Sequence, residues 1–177
     1  MKILYAASEC APFIKTGGLG DVAGTLPQRL VALGADVRVV LPRYRDIDPY
    51  WKERMQHVTA FYVNLGWRRQ YCGVSRMKHQ GVTYYFIDNE FYFARDAVYG
   101  SGVEEGERFA FFCRAVLELL PHVDFYPDVL HCNDWQTGMI PALLHQQYRV
   151  LPAYRNIRTL FTIHNLRYQG VFGIRDV

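Results

Sequence analysis

Five short apolar runs constrain this chain most: Ile3 to Ala7, Val37 to Leu41, Thr83 to Ile87, Val129 to Cys132 and Thr159 to Ile163. Each is continuous rather than alternating, as strands covered on both faces are. Helical patterns lie between most of them. Asp21 to Leu33 places Val22, Leu26, Leu30 and Leu33 at helical spacing and stops at Gly34, with Pro27 predicting a kink or a late start. Glu105 to Leu120 carries an apolar stripe of Phe109, Phe112, Cys113, Val116, Leu117 and Leu120, and Glu104, Glu105 and Glu107 complement the dipole at its start. Gln136 to Tyr148 reads as a third helix, bent or begun near Pro141. The segment His57 to Gln80 holds strand-like Phe61 to Leu65 and Tyr71 to Met77, with HQG as a hairpin turn before Thr83. The expected architecture is α/β: a doubly wound, mostly parallel sheet with right-handed crossovers and a β insertion.

The second constraint is the stretch KTGGLGDVAG, Lys15 to Gly24, directly after the first run. Its four glycines let backbone N–H groups approach a ligand, and a helix opening near Asp21 would aim its positive dipole end at an anion. A phosphate is the expected ligand. The P-loop fits badly because Lys15 precedes the glycines instead of following them, so ATP hydrolysis is not favoured. The dinucleotide fingerprint fits no better, since SECAPFIKT intervenes after the strand and the second run ends in Pro42 and Arg43 without an acidic residue. Close helix packing is the other reading of such glycines.

In an open α/β sheet, ligands bind beyond the carboxyl ends of the strands. There the sequence places Ser8 and Glu9, then Arg43, then Asp88 and Asn89, then Asn133 and Asp134, then His164 and Asn165. Carboxylates and amides can bind several hydroxyls, and Lys15 can neutralise a phosphate, a combination that suits a nucleotide sugar. No His/Cys cluster has metal-ligand spacing, and no nucleophile motif is present. A formal charge of +3 with scattered cations argues against nucleic acid as a partner. No apolar stretch is long enough for a membrane span, and nothing resembles a signal peptide. Cys10, Cys72, Cys113 and Cys132 form no CxxC pair, as expected of reduced thiols in a cytoplasmic protein. Aromatics at 15% include the clusters 84–86 and 91–93, which read as core or as faces for sugar rings.

These residues resemble the bacterial glycogen synthases and plant starch synthases, retaining glucosyltransferases of the GT-B fold. The likeness runs through ILYAASECAPFIKTGGLGDVAGTLPQRLVALGADVRVVLPRY, ERFAFFCRAVLEL, PDVLHCNDWQTGMIPALL and FTIHNLRYQGVF, in order. The resemblance implies transfer of glucose from ADP-glucose to the non-reducing end of an α-1,4-glucan, glycogen or starch, with retention of configuration. ADP-glucose is then a substrate, with no cofactor and no metal, and the setting is bacterial cytoplasm, or the plastid in a plant. Another GT-B transferase using UDP-glucose, or of the sucrose-synthase type, and a non-catalytic glucan- or nucleotide-binding module are the alternatives.

The resemblance also implies roles. Lys15 would bind the donor's phosphates, with Gly17 and Gly18 supplying backbone amides and Asp21 shaping the loop. His164 would line the donor glucose, Asp134 the sugar hydroxyls and acceptor, and Tyr99 the acceptor side; Asn133 and Asn165, polar at the same strand ends, join them as expected substrate contacts. His164, Asp134 and Lys15 would be the catalytic set, with the His164 carbonyl facing the anomeric carbon. The segment SGVEEGE between Tyr99 and Arg108 is shorter than the family's polar loop. Residues 1–177 read as an incomplete N-terminal, acceptor-side Rossmann-like lobe that lacks the C-terminal nucleotide-binding lobe and is inactive alone.

A charge-assisted hydrogen bond contributes about 1.5 to 3 kcal/mol, equivalent to about 10- to 150-fold in affinity or rate. In the full-length protein, Lys15→Ala and Lys15→Gln are therefore expected to lower donor-dependent activity by about that factor. Steady-state kinetics beside Lys52→Ala checks this, and equal effects at the two lysines would remove the phosphate role.

Overall fold

The first apolar run becomes the middle of the sheet. In the computed structural model, which describes residues 1–173, β1 (Lys2–Ala6) pairs in parallel with β2 (Asp36–Pro42) on one side and β6 (Val129–Asn133) on the other. With β3 (Gln56–Leu65), β4 (Arg68–His79), β5 (Val82–Asp88) and β7 (Arg158–Thr162), the seven strands lie in the order β3-β4-β5-β2-β1-β6-β7, β5 being parallel to β2 and β7 to β6. The chain thus steps outward from β1 to β2, then reverses past β1 to reach β6. With right-handed crossovers, that reversal puts α1 (Gly18–Ala32) and α4 (Glu104–His122) on opposite faces and opens a crevice beyond the ends of β1 and β6.

The expected β insertion is an antiparallel extension of one edge, β3 (Gln56–Leu65) and β4 (Arg68–His79). His79 pairs directly with Val82, so Gln80 and Gly81 alone make the turn. Both have positive φ, 47° and 82°, as a two-residue hairpin matching strand twist requires. Two short helices flank the insertion, α2 (Pro49–Lys52) before it and α3 (Glu90–Phe93) after β5.

Three expectations need correction. α1 starts at Gly18, three residues before Asp21, and its buried face is Leu19, Gly20, Ala23, Gly24 and Pro27; Val22 and Leu33 are exposed. Small residues win that face because the loop after β1 crosses close to the helix: a Cβ on Gly24 would stand 2.7 Å from the Ala11 carbonyl oxygen. The segment after β6 is no single helix either. A 3-10 turn at Trp135–Thr137 precedes α5 (Met139–Leu143), and a π-helical turn, Leu144–Tyr148, follows. Lastly, β7 is an edge strand and not a doubly covered one, with Leu160 and Phe161 exposed and Ile163 exposed just beyond it.

α4 needs no correction; all six stripe residues are buried, together with Ala110, Phe111 and Leu119. Tyr84, Tyr85, Phe86, Tyr92 and Phe93 are core, leaving Phe91 as the exposed member of the two aromatic clusters. The four cysteines are free and buried.

Close packing at Gly24 is rigid because the neighbouring atom is backbone. Gly24→Ala is expected to lower stability by about 1 to 3 kcal/mol, despite alanine's better helix propensity, as overpacked sites do. Gly18→Ala, with nothing within 4 Å of its added Cβ, is the matched control. Thermal melts of the two variants check this, and equal melting temperatures would contradict it.

Candidate active site

Glu9 builds the loop that follows β1. It is 2% exposed, and its carboxylate accepts from the Thr16 N–H at 2.5 Å, the Thr16 hydroxyl at 2.6 Å and the Gly20 N–H at 3.1 Å. Three donors and the positive end of α1 thus meet a buried negative charge. The N-cap of α1 is Gly17, which has no side chain to cap the helix, so Glu9 takes only the Gly20 amide of the first turn. Gly17 and Gly18 therefore face the crevice with bare backbone.

Asp134 forms the opposite wall. Its backbone, φ 56° and ψ 177°, lies in a region almost reserved for glycine, a conformation that costs about 1 to 3 kcal/mol. The surroundings hold it there: its N–H donates to the Thr162 carbonyl at 2.9 Å, and its carbonyl accepts from the Thr137 N–H and hydroxyl, each at 3.1 Å. The turn aims the carboxylate at β7's end, where Oδ1 accepts from the His164 N–H at 2.6 Å.

Asn133 is fully buried, which corrects its expected place among substrate contacts. Its Nδ2 donates to the carbonyls of Ala6 and His131 at 3.0 and 3.3 Å, so Oδ1 is the atom left for His164 Nε2 at 2.9 Å. An amide oxygen only accepts, so His164 Nε2 carries the proton and Nδ1 is the open acceptor. Behind this pair, His131 Nε2 bonds the Thr162 hydroxyl at 2.8 Å, and burial followed by the nearby His164 charge lowers the His131 pKa.

A cleft of about 580 Å³ lies between these walls. Gly17, Gly18, Tyr99, Asp134, His164 and Asn165 all line it, so six expected site residues meet in one place. Tyr99 bonds the Ser8 hydroxyl at 2.7 Å, and burial holds its phenol well above the usual pKa. Lys15 and Asp21 are not in the lining; they pair at 2.8 Å on the exposed rim, Lys15 from the loop and Asp21 from the first turn of α1. Two strand-end groups serve structure instead of hydroxyl binding. Asp88 faces Arg43 at 3.4 Å, while Asn89 caps α3 through the Tyr92 N–H and donates to the Tyr71 carbonyl.

Sequence reasoning missed Thr16, Trp135, Gln136 and Tyr168 among the lining residues. Trp135 and Gln136 sit in the same NDWQ turn as Asp134, and Tyr168 in the NLRYQ segment after His164, so adjacency to motif residues was the available signal. Gln136 Oε1 is buried without a hydrogen-bond partner, an acceptor that a hydroxyl in the cleft would satisfy. Trp135 packs on Phe109 at 5.1 Å and separates the cleft from an apolar cavity of about 540 Å³. Among the described residues no His, Cys, Asp and Glu group is arranged to hold a metal.

The fixed Asn133 amide predicts a definite tautomer. Neutral His164 is expected to be Nε2-protonated, and Asn133→Leu to release it into a tautomer mixture. Ring ¹⁵N chemical shifts in labelled protein distinguish the two, and an Nδ1-protonated ring in the unmodified protein would refute the network.

Residues 2–177 match the family profile described as the starch synthase catalytic domain. Glycogen synthases from Geobacillus thermodenitrificans and Geobacillus stearothermophilus are each 60% identical over 172 residues, covering 97% of this chain and 35% of theirs. That of Clostridioides difficile is 52% identical over 176 residues, covering 97% and 36%. Among solved structures, the catalytic domain of starch synthase IV from Arabidopsis thaliana, bound to ADP and acarbose, matches with a TM-score of 0.85 and 31% identity over 95% of this chain and 34% of that one. A sucrose-phosphate synthase from Thermosynechococcus elongatus shares the fold, with a TM-score of 0.58 and 17% identity over 93% of this chain and 33% of that one. The chain spans about a third of the length of these relatives, and with its strand-end cleft and whole-length match it belongs to the starch synthase catalytic domain family.

Proposed function

We propose that this chain is the N-terminal, acceptor-side lobe of a retaining glucosyltransferase that moves glucose from ADP-glucose to the non-reducing end of an α-1,4-glucan. The observation that carries the reading is the convergence of the α1 N-terminus, Asp134 and His164 on one cleft at the sheet's reversal point, in a chain of this family. Gly17 and Gly18 offer backbone N–H groups to the donor diphosphate. Lys15 swings from Asp21 to the phosphate, which is open to it because both side chains are at least half exposed. A diphosphate, with one negative charge on each phosphate, competes well for an exposed ammonium whose present partner is a solvated carboxylate.

His164 and Asp134 act on the sugar. The Asp134 carboxylate fixes the His164 backbone through its N–H, so the peptide carbonyl of His164 can face the anomeric carbon, where positive charge develops as the glycosidic bond to ADP breaks. A preorganised carbonyl dipole stabilises that charge without reorganising. Asn133 holds the imidazole and presents Nδ1 as an acceptor to a sugar hydroxyl; Gln136 Oε1 and Asn165 supply further hydroxyl contacts. Tyr99, kept protonated by burial, acts at the acceptor end with Ser8. The reaction in this reading uses no cofactor or metal.

A cytoplasmic setting is supported by four free buried cysteines, with burial pushing the Cys10 and Cys113 thiols up to about 12, and no described helix is long and apolar enough to cross a membrane. UDP-glucose as donor is the second reading, since the cleft residues named here meet phosphate and sugar and none of them selects a base. Giving the full-length protein glycogen with ADP-glucose or UDP-glucose decides between them: ADP release with chain extension is expected, and preference for UDP-glucose would overturn the donor assignment.

His164→Ala in the full-length enzyme is expected to lower kcat by about 2- to 10-fold, the range for losing a neutral hydrogen bond of about 0.5 to 1.5 kcal/mol while the backbone carbonyl stays. The melting temperature should fall only by what the lost bond to buried Asn133 implies, about 1 to 3 kcal/mol, because a half-exposed cleft side chain leaves no core cavity. A large fall in melting temperature with unchanged activity per folded molecule would make His164 a structural histidine.

A further inference from the structure

A second cavity of about 580 Å³ opens at the β insertion, where β3 begins. β3 pairs Gln56 with Arg76 and starts there, whereas β4 runs on through Met77 and Lys78 to His79. The end of β4 therefore has no β3 partner and forms one side of a notch. α2 stands over it, fixed by Pro49 in its first turn and by the Asp48 carboxylate, which accepts from the Tyr50 N–H at 2.7 Å. Trp51 is wedged edge-on against His79 and Phe13, both at 5.2 Å between ring centroids. Arg54 lies 3.6 Å from the centre of the Tyr50 ring and donates to the Tyr50 carbonyl at 2.6 Å. An aromatic wall with one cation already in place results.

Charge sets this notch apart. Arg54, Arg76, Lys78 and His79 line it and no carboxylate does. Among the described residues Arg54, Arg76 and Lys78 have no carboxylate at ion-pair distance, as several other surface cations do not, but these three share one concave space. Three uncompensated permanent cations in a concave space concentrate anions from solution. Arginine forks beside a lysine suit phosphate oxygens, and a neutral glucan would need none of these charges.

We propose that the notch is a binding site for a phosphorylated small molecule, its phosphomonoester held by Arg54, Arg76 and Lys78 and its sugar or base ring laid against Tyr50 and Trp51. The site is separate from the donor cleft and shares no lining residue with it. Such a ligand would act on the β insertion and α2, away from the reacting atoms.

Isothermal titration of the full-length protein with glucose 1-phosphate, AMP and inorganic phosphate, all in saturating ADP, tests this. Saturable binding of a ring-bearing phosphomonoester is expected, with the tighter of the two identifying the ring as sugar or base. Arg76→Gln with Lys78→Gln should weaken it at least about tenfold, the lower bound for losing a charge-assisted contact. Lys15→Ala should leave it unchanged. Both replaced side chains are exposed, so a thermal melt should show the double variant folded. Absence of saturable binding, equal affinity in the double variant, or inorganic phosphate binding as tightly as either ring compound would overturn the proposal. Because the readout is binding beside ADP, failure here leaves the donor assay standing.

Discussion

The Glu9 carboxylate is the contact on which the α1 side of the cleft depends. A buried negative charge is tolerable only where donors surround it, and here Thr16 and Gly20 supply three hydrogen bonds while α1 contributes its positive end. Hydrogen bonds to a charged group contribute about 1.5 to 3 kcal/mol each, more than neutral ones. They draw the loop after β1 back onto the first turn of α1, and that fold brings Ala11 against Gly24. The same closure leaves Gly17 and Gly18 at the mouth of the cleft. One carboxylate therefore anchors α1 by taking the Gly20 amide of its first turn, while Gly17, the N-cap, adds no side chain of its own.

Across the cleft, strain does the corresponding work. Asp134 occupies a backbone region unfavourable for any side chain, and hydrogen bonds with Thr162 and Thr137 hold it there. What the strain yields is direction: the carboxylate meets the His164 N–H, while neighbouring Asn133 meets the His164 ring. Two consecutive residues thus fix the backbone and the side chain of a third residue thirty positions on. Topology makes this possible, since β6 and β7 are parallel neighbours and end at the same level beside β1.

The two ends of the sheet differ in kind. At the β insertion, the hairpin and α2 enclose a polar notch, with aromatic side chains locked edge to edge and cations without counter-ions. At β7, exposed Leu160, Phe161 and Ile163 lie beside an apolar cavity lined by Phe109, Trp135 and Phe172. Burial at β7 is slight, so its apolar run reports a strand without reporting a cover. Continuous apolar sequence marks backbone propensity and burial together, and here only the first holds.

Much of the fold was legible because local pattern reports local geometry. Ile3 to Ala7, Val37 to Leu41 and Thr83 to Ile87 became parallel strands, and HQG became a two-residue turn because its glycine follows the one residue that must also take positive φ. Motif residues at strand ends, Asp134 and His164 above all, were found because a sheet delivers its strand ends to one edge. The tertiary structure alone decided which polar groups are spoken for. Asn133, Asp88 and Asn89 are chemically able to bind hydroxyls, yet Asn133 is inside, Asp88 faces Arg43 and Asn89 caps α3. It also decided that small residues and not Val22 face inward from α1, since the crossing of Ala11 over Gly24 comes from a loop elsewhere in the chain. A hydrogen bond forms with whatever the fold brings within about 3 Å, and those partners are distant in sequence.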